Sequence, residues 1–161
     1  YPGMLRDGTL QFFDFLNLHK IPLLIFSSGI GNIIEGYLDK AKRMTSNTHV
    51  LSNTFVFDES GYAKGYKNKI IHVMNKSETK IEDKKYRDLV HTRTNVILLG
   101  DSISDLGMVN DLDVNIIIKM GFLNENVEEN LELYKNNFDI VITDDGSMEC
   151  INKILEEING R

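Results

Sequence analysis

Apolar residues along the chain fall into two alternating kinds of segment. Short continuous runs, Ile21-Pro-Leu-Leu-Ile-Phe26, His49-Val-Leu51, Val96-Ile-Leu-Leu99, Asn115-Ile-Ile-Ile118 and Ile140-Val-Ile142, have the length of strands covered on both faces. Between them apolar positions recur at helical spacing over about residues 7–19, 31–43, 79–91, 104–111, 124–136 and 147–159. In the last of these, Met148, Ile151, Ile154, Leu155 and Ile158 make one apolar stripe. Such alternation predicts an α/β fold, doubly wound around a mainly parallel sheet. One stretch breaks the rhythm. Residues 53–65 alternate Phe55 and Phe57, turn through Asp58-Glu-Ser-Gly61, and predict a small β-hairpin beside the sheet.

Composition narrows the class. With 161 residues, 42% hydrophobic and 26% charged, the chain has the makings of one domain with a full core. Cys150, the single cysteine, excludes an intramolecular disulfide framework and a multi-cysteine zinc site; its place in a helical pattern predicts a core or boundary residue. The net charge of −6 is unevenly spread: residues 1–90 carry 13 basic and 10 acidic side chains, residues 91–161 carry 5 and 14. An acidic half without a basic, aromatic-rich block argues against binding a nucleic acid polymer. The sequence shows neither an apolar run of membrane-spanning length nor a signal peptide, so a cytoplasmic protein without membrane contact is expected.

In folds of this kind ligands gather at the carboxyl ends of the strands. Two such ends carry chemistry. Phe26-Ser27-Ser28-Gly29-Ile30-Gly31-Asn32 offers hydroxyls and backbone N–H groups at a helix start, which suits a phosphate, though Ser28 or Asn32 could simply cap that helix. Leu99-Gly100-Asp101-Ser102-Ile103-Ser104-Asp105 places a carboxylate directly after an apolar strand and a second one four residues later, a pattern that suits Mg2+ with its water shell; the alternative is that Asp101 or Ser102 opens the following helix. A lysine reaching a phosphate would complete such a site, and Lys64, Lys67, Lys69 and Lys76 are all available.

Three other patterns carry less. Gly100-Asp101-Ser102 looks like an esterase nucleophile block, but all four histidines (19, 49, 72 and 91) precede Ser102, the wrong order for activating it. Gly29-x-Gly31 looks like a dinucleotide fingerprint, yet Ile34 stands at the third glycine position. Asp111-Leu-Asp113 reads as a solvated helix-to-strand connection.

Taken in order, Leu5-Arg-Asp-Gly8, Phe12-Phe13, Ile21-Pro22, Phe26-Ser-Ser-Gly-Ile-Gly31, Phe57-Asp58-Glu59, His72-Val73 with Asn75-Lys76, Leu98-Leu-Gly-Asp-Ser102, Asp105-Leu106 and Gly121-x-Leu123-Asn124 resemble the cytosolic 5′-nucleotidase III family of the haloacid dehalogenase-like phosphatases. That family includes pyrimidine and 7-methylguanosine-phosphate-specific forms. The resemblance implies that Ser27, Ser28 and Gly29 bind the substrate phosphate, Ser27 through its hydroxyl. It implies that Lys76 neutralises phosphate and the phospho-enzyme, that Asp101 holds Mg2+, and that Asp105 positions Lys76 or a metal-bound water. The implied activity is hydrolysis of a nucleoside 5′-monophosphate through an aspartyl-phosphate.

The resemblance covers the C-terminal part of the family's core domain, here residues 1–161. The family's opening Asp-x-Asp motif, which supplies the nucleophile and the acid, and its cap are not found in this sequence. The resemblance makes the missing first strand central, between those ending at Phe26 and Leu99. The expectation is a piece of a longer protein, inactive alone and prone to self-association through an open sheet edge. Two alternatives remain at this point: a non-catalytic phosphate-binding or interaction protein, and a phosphatase of the same superfamily with another substrate.

Overall fold

The computed structural model describes residues 5–72, 84–110 and 112–160. The chain divides into two compact units, one formed by Leu16–Thr92 and the other by Tyr1–Phe15 with Arg93–Arg161. Helix α1 (Thr9–Leu18) runs across that division, with Phe12, Phe13 and Leu16 buried on one side of it. Its start is fixed by Thr9, whose hydroxyl and amide both donate to the carbonyl of Arg6.

In the Leu16–Thr92 unit, β1 (Leu23–Ile30) leads directly into α2 (Gly31–Lys40), and β2 (Thr48–Asn53) returns parallel to β1. The register runs evenly from Leu23↔Thr48 to Phe26↔Leu51 and then slips. Ile30 pairs with Asn53, so four steps along β1 match two along β2. The excess lies at Ser27-Ser28-Gly29, which bulges off the ladder. The strand is therefore longer than its apolar run, Ile21–Phe26, predicts. Gly31 is where α2 crosses β2: a Cβ there would collide with the Ser52 hydroxyl oxygen and lie 3.0 Å from that of Thr54. The predicted hairpin is present as β3 (Phe55–Phe57) and β4 (Ala63–Tyr66), antiparallel, with Asp58 Oδ1 accepting the amides of Ser60 and Tyr62 across the turn. Phe55 stacks on Tyr66, while Phe57 stays half exposed. Helix α3 (Lys84–Val90) buries Tyr86, whose ring meets His49 edge to face; the part of the predicted 79–91 helix before residue 84 lies outside the described residues.

The other unit holds three parallel strands in the order β5 (Asn95–Gly100), β6 (Ile116–Leu123), β7 (Ile140–Thr143). Helix α4 (Val127–Lys135) connects β6 to β7, and α5 (Glu149–Asn159) follows β7. Met120, on the central strand, and Ile151, on α5, are completely buried. Leu123, Tyr134 and Phe138 form a further core cluster, covered by Ile103, Leu106, Val127, Leu131 and Val141. The expected α/β class with parallel sheet is thus observed, the parallel pairing falling into a two-stranded and a three-stranded sheet. Among the described residues β1 pairs only with β2, and β5 only with β6.

Three local expectations are corrected. The segment predicted as a helix over 104–111 is a 3-10 turn, Ile103–Met108, because the side chains of Ser102 and Asp105 tie up the backbone at its start. Met148 at the N-cap of α5 and Ile151 and Leu155 within it are buried, but Ile158, in the helix's last turn, is 56% exposed. Cys150 is exposed, one position away from that stripe. No helix among the described residues is long and apolar enough to cross a membrane.

Candidate functional site

The end of β5 is built around one buried carboxylate. Asp105 is 5% exposed, and its Oδ2 accepts the backbone N–H of Asp101 at 3.1 Å and of Ser102 at 3.2 Å. In return the Ser102 hydroxyl accepts the N–H of Ser104 at 3.2 Å, so Ser102 and Asp105 form a reciprocal capping box. The capping reading of Ser102 is therefore correct, and it leaves Asp101 over. The Asp101 side chain is exposed at the carboxyl end of the strand and makes no hydrogen bond or ion pair with another described residue. Gly100 makes this close fold possible: a Cβ there would lie 2.8 Å from Asp105 Cβ and 2.9 Å from Oδ2.

Helix α4 reaches the same turn. The hydroxyl of Tyr134, a buried residue, donates to the carbonyl of Asp101 at 2.7 Å, and its ring stacks on Phe138. Burial pushes the Tyr134 hydroxyl above its ordinary pKa, and the charges of Asp101 and Asp105 push it the same way. Asp101, Asn124, Asn126, Asn130 and Tyr134 line an open cleft of about 400 Å3. Asn124, at the end of β6, is held from the N-terminal segment by Arg6 Nη2 at 3.0 Å. Arg6 Nη1 also donates to the carbonyl of Gly146 and pairs with Asp145, each at 2.8 Å.

At the end of β1 the bulge presents Ser27, half-buried, and Ser28 and Gly29, both exposed. The Ser27 hydroxyl accepts the N–H of Gly29 at 3.0 Å, curling the segment toward α2. Buried Asn53 holds it from behind: its Nδ2 donates to the carbonyls of Ser28 and Ile71, and its Oδ1 accepts the N–H of Ile71. The alternative in which Ser28 or Asn32 caps α2 is not observed. The cap position is Ile30, without a side-chain bond, and Asn32 instead pairs its carboxamide with the backbone of Phe55. The first N–H groups of α2 therefore have no side-chain cap from that residue.

Asp101 is thus brought against Asp105, and Ser27 against Gly29. Lys76 lies outside the described residues, as do Val73, Asn75 and Asp111. Lys64, Lys67 and Lys69, the other candidate lysines, are exposed. Sequence reasoning missed Tyr134, whose partner is 33 positions away, and Asn53, which ends a strand and carries no motif. Among the described residues no three metal-binding side chains cluster. Mg2+ asks for only one or two carboxylates alongside phosphate oxygen and water, and one unengaged carboxylate at a strand end meets that need.

A strand-end carboxylate on parallel sheets with flanking helices is an arrangement many α/β enzymes share; likeness to a solved structure sets the class as a haloacid dehalogenase-like α/β fold. The backbone superposes with a TM-score of 0.88 on the crystal structure of cytosolic 5′-nucleotidase IIIB bound to cytidine, at 39% identity, covering 96% of this chain and 52% of that one. The pyrimidine 5′-nucleotidase (UMPH-1) family model matches residues 1–159, and the chain belongs to that family. It is 43% identical over 157 residues to the 7-methylguanosine phosphate-specific 5′-nucleotidase of Rattus norvegicus and 42% identical over the same length to that of Homo sapiens, covering 97% of this chain and 52% of each relative. A putative cytosolic 5′-nucleotidase 3 of Caenorhabditis elegans is 37% identical over 164 positions, 96% of this chain and 42% of the relative. The chain spans about half the length of the curated relatives it matches.

Proposed function

We propose that the chain is the C-terminal part of the core domain of an Mg2+-dependent 5′-nucleotidase, which hydrolyses a nucleoside 5′-monophosphate to nucleoside and phosphate in the cytosol. The observation that carries this reading is the exposed Asp101 carboxylate, set at the end of β5 in a chain of this family. Asp101 would hold Mg2+, which when bound offsets charge on the phosphate oxygens. The Ser27 hydroxyl and the Ser28 N–H ahead of α2 would bind phosphate oxygen, with Gly29 shaping the turn through its own N–H bond to Ser27, where the helix dipole also favours negative charge. Lys76 would neutralise the transferred phosphate, and Asp105 would position Lys76 or a metal-bound water. The attacking aspartate, which forms an aspartyl-phosphate and expels the nucleoside, comes from sequence outside these residues. On this reading the 161-residue chain by itself would be inactive and would self-associate through the edges of β1 and β5 that pair with no strand among the described residues.

The substrate is of the pyrimidine or 7-methylguanosine type. Phosphate release from CMP, UMP and 7-methyl-GMP, with and without Mg2+, tests the reading. The intact protein is expected to turn over at least one of them only with Mg2+, and Asp101→Asn to abolish that turnover while the far-UV spectrum is unchanged. Wild-type-like turnover by Asp101→Asn would refute it.

A further inference from the structure

We propose that Tyr134 is a positioning residue for the Asp101 carboxylate. The inference rests on the reading that Asp101 holds the divalent cation. Its basis is the peptide between Asp101 and Ser102, which is held from both ends. Its carbonyl accepts the Tyr134 hydroxyl at 2.7 Å, and its N–H donates to Asp105 Oδ2 at 3.2 Å. In a planar trans peptide those two groups point in opposite directions. Tyr134 on α4 and Asp105 in the 3-10 turn therefore grip one peptide plane from its two sides, and the plane cannot rotate without breaking a bond.

Asp105 also takes the N–H of Asp101 itself, so the peptide on either side of the Asp101 Cα is tied. What remains free at that residue is its side chain, which is exposed. The Tyr134 ring is fixed in turn, buried and stacked on Phe138 with ring centres 5.3 Å apart. The arrangement orients a ligand carboxylate through its own backbone, from a residue that itself does not touch the cation. Removing such an outer partner typically weakens metal binding about 10-fold or more.

The test is Mn2+ binding to the intact protein, followed by electron paramagnetic resonance in the absence of substrate, together with the thermal midpoint. Tyr134→Phe deletes the hydroxyl and keeps the ring. It is expected to raise the Mn2+ dissociation constant about 10-fold and to raise the Mg2+ concentration giving half-maximal phosphate release. Phe138→Leu loosens the same stack but leaves the hydroxyl its bond to the peptide, and is expected to lower the thermal midpoint with a much smaller loss of Mn2+ affinity than Tyr134→Phe. Wild-type Mn2+ affinity in Tyr134→Phe would overturn the proposal, as would equal losses of affinity in both variants, which would mark the stack as merely structural. Asp101→Asn separates the two levels of the argument. If it binds Mn2+ as tightly as wild type, the cation reading itself fails; if it loses Mn2+ while Tyr134→Phe does not, only the positioning role fails.

Discussion

The guanidinium of Arg6 lies 4.3 Å from the centre of the Phe122 ring while its nitrogens bond the carbonyl of Gly146 and the carboxamide of Asn124. One side chain thus fastens the N-terminal segment to the end of β6 and to the loop after β7. Its ion pair with Asp145 adds little, because the Asp145 side chain is 84% exposed. Arg6→Ala should cost about 2–3 kcal/mol, from two charge-assisted bonds and the ring contact. Arg6→Lys should recover only part of that loss, since an ammonium lacks the planar fork that serves separated acceptors. Urea unfolding of the three proteins checks this, and equal stability of Arg6→Lys and wild type would contradict the fork argument.

Gly100 controls how closely Asp105 can approach the turn. An added methyl would meet Asp105 Cβ at 2.8 Å and Oδ2 at 2.9 Å, distances that force the carboxylate to move. Gly100→Ala should therefore break the bonds from Asp105 to the amides of Asp101 and Ser102. The expected cost is about 1–3 kcal/mol of stability, with weaker Mn2+ binding. Thermal unfolding and paramagnetic resonance on the same samples test both effects. Unchanged stability would mean the turn has room that its geometry does not show.

Asn53 allows a sharper test through pH. Its Nδ2 faces the carbonyls of Ser28 and Ile71, each at 2.8 Å, in a side chain that is 8% exposed. Asn53→Asp would aim a carboxylate at those two carbonyls and lose both bonds, a cost of about 3 kcal/mol at neutral pH. The introduced carboxyl would be held above its unfolded pKa of about 3.9, because only its protonated form can donate to a carbonyl. The unfolded state then loses its proton first as pH rises, so the deficit against wild type is smallest below that pKa and grows to its full value above the folded one. Urea midpoints from pH 3 to pH 8 should show this widening gap, and a constant gap would refute the assignment of Nδ2.

The strands were readable because buried parallel strands need continuous apolar runs, and Ile21–Phe26 and Val96–Leu99 supply them. Their functional extensions were not. Ser27-Ser28-Gly29 carries no apolar signal, and its strand character comes from a slipped register with β2 that only three-dimensional pairing shows. The spacing over 104–111 predicts a helix where the structure has a 3-10 turn, because the capping box of Ser102 and Asp105 decides the backbone. Asp101 and Ser27 were visible as polar residues directly after apolar runs. Tyr134 was not, since a tyrosine in a helical stripe looks the same whether its hydroxyl meets water or a carbonyl on a neighbouring strand.

That hydroxyl makes a last prediction, in alkali. Burial and the charges of Asp101 and Asp105 hold the Tyr134 pKa in the folded protein above its ordinary value near 10. The unfolded chain, without those neighbours, loses this proton first as pH rises. Deprotonation then favours unfolding, so the stability contributed by the protonated hydroxyl is complete below about pH 10 and is lost as pH climbs from there toward the folded pKa. Wild type should therefore exceed Tyr134→Phe in stability at pH 8 by the value of its hydrogen bond, about 1 kcal/mol, and the advantage should shrink above pH 10. Other tyrosines and lysines titrate there too, but they are common to both proteins and cancel in the difference. Urea midpoints of the pair at pH 8, 9, 10 and 11 give the curve. A difference that stays level to pH 11 would mean that the hydroxyl is not held in its protonated form by the fold, and would remove the electrostatic link between α4 and the end of β5.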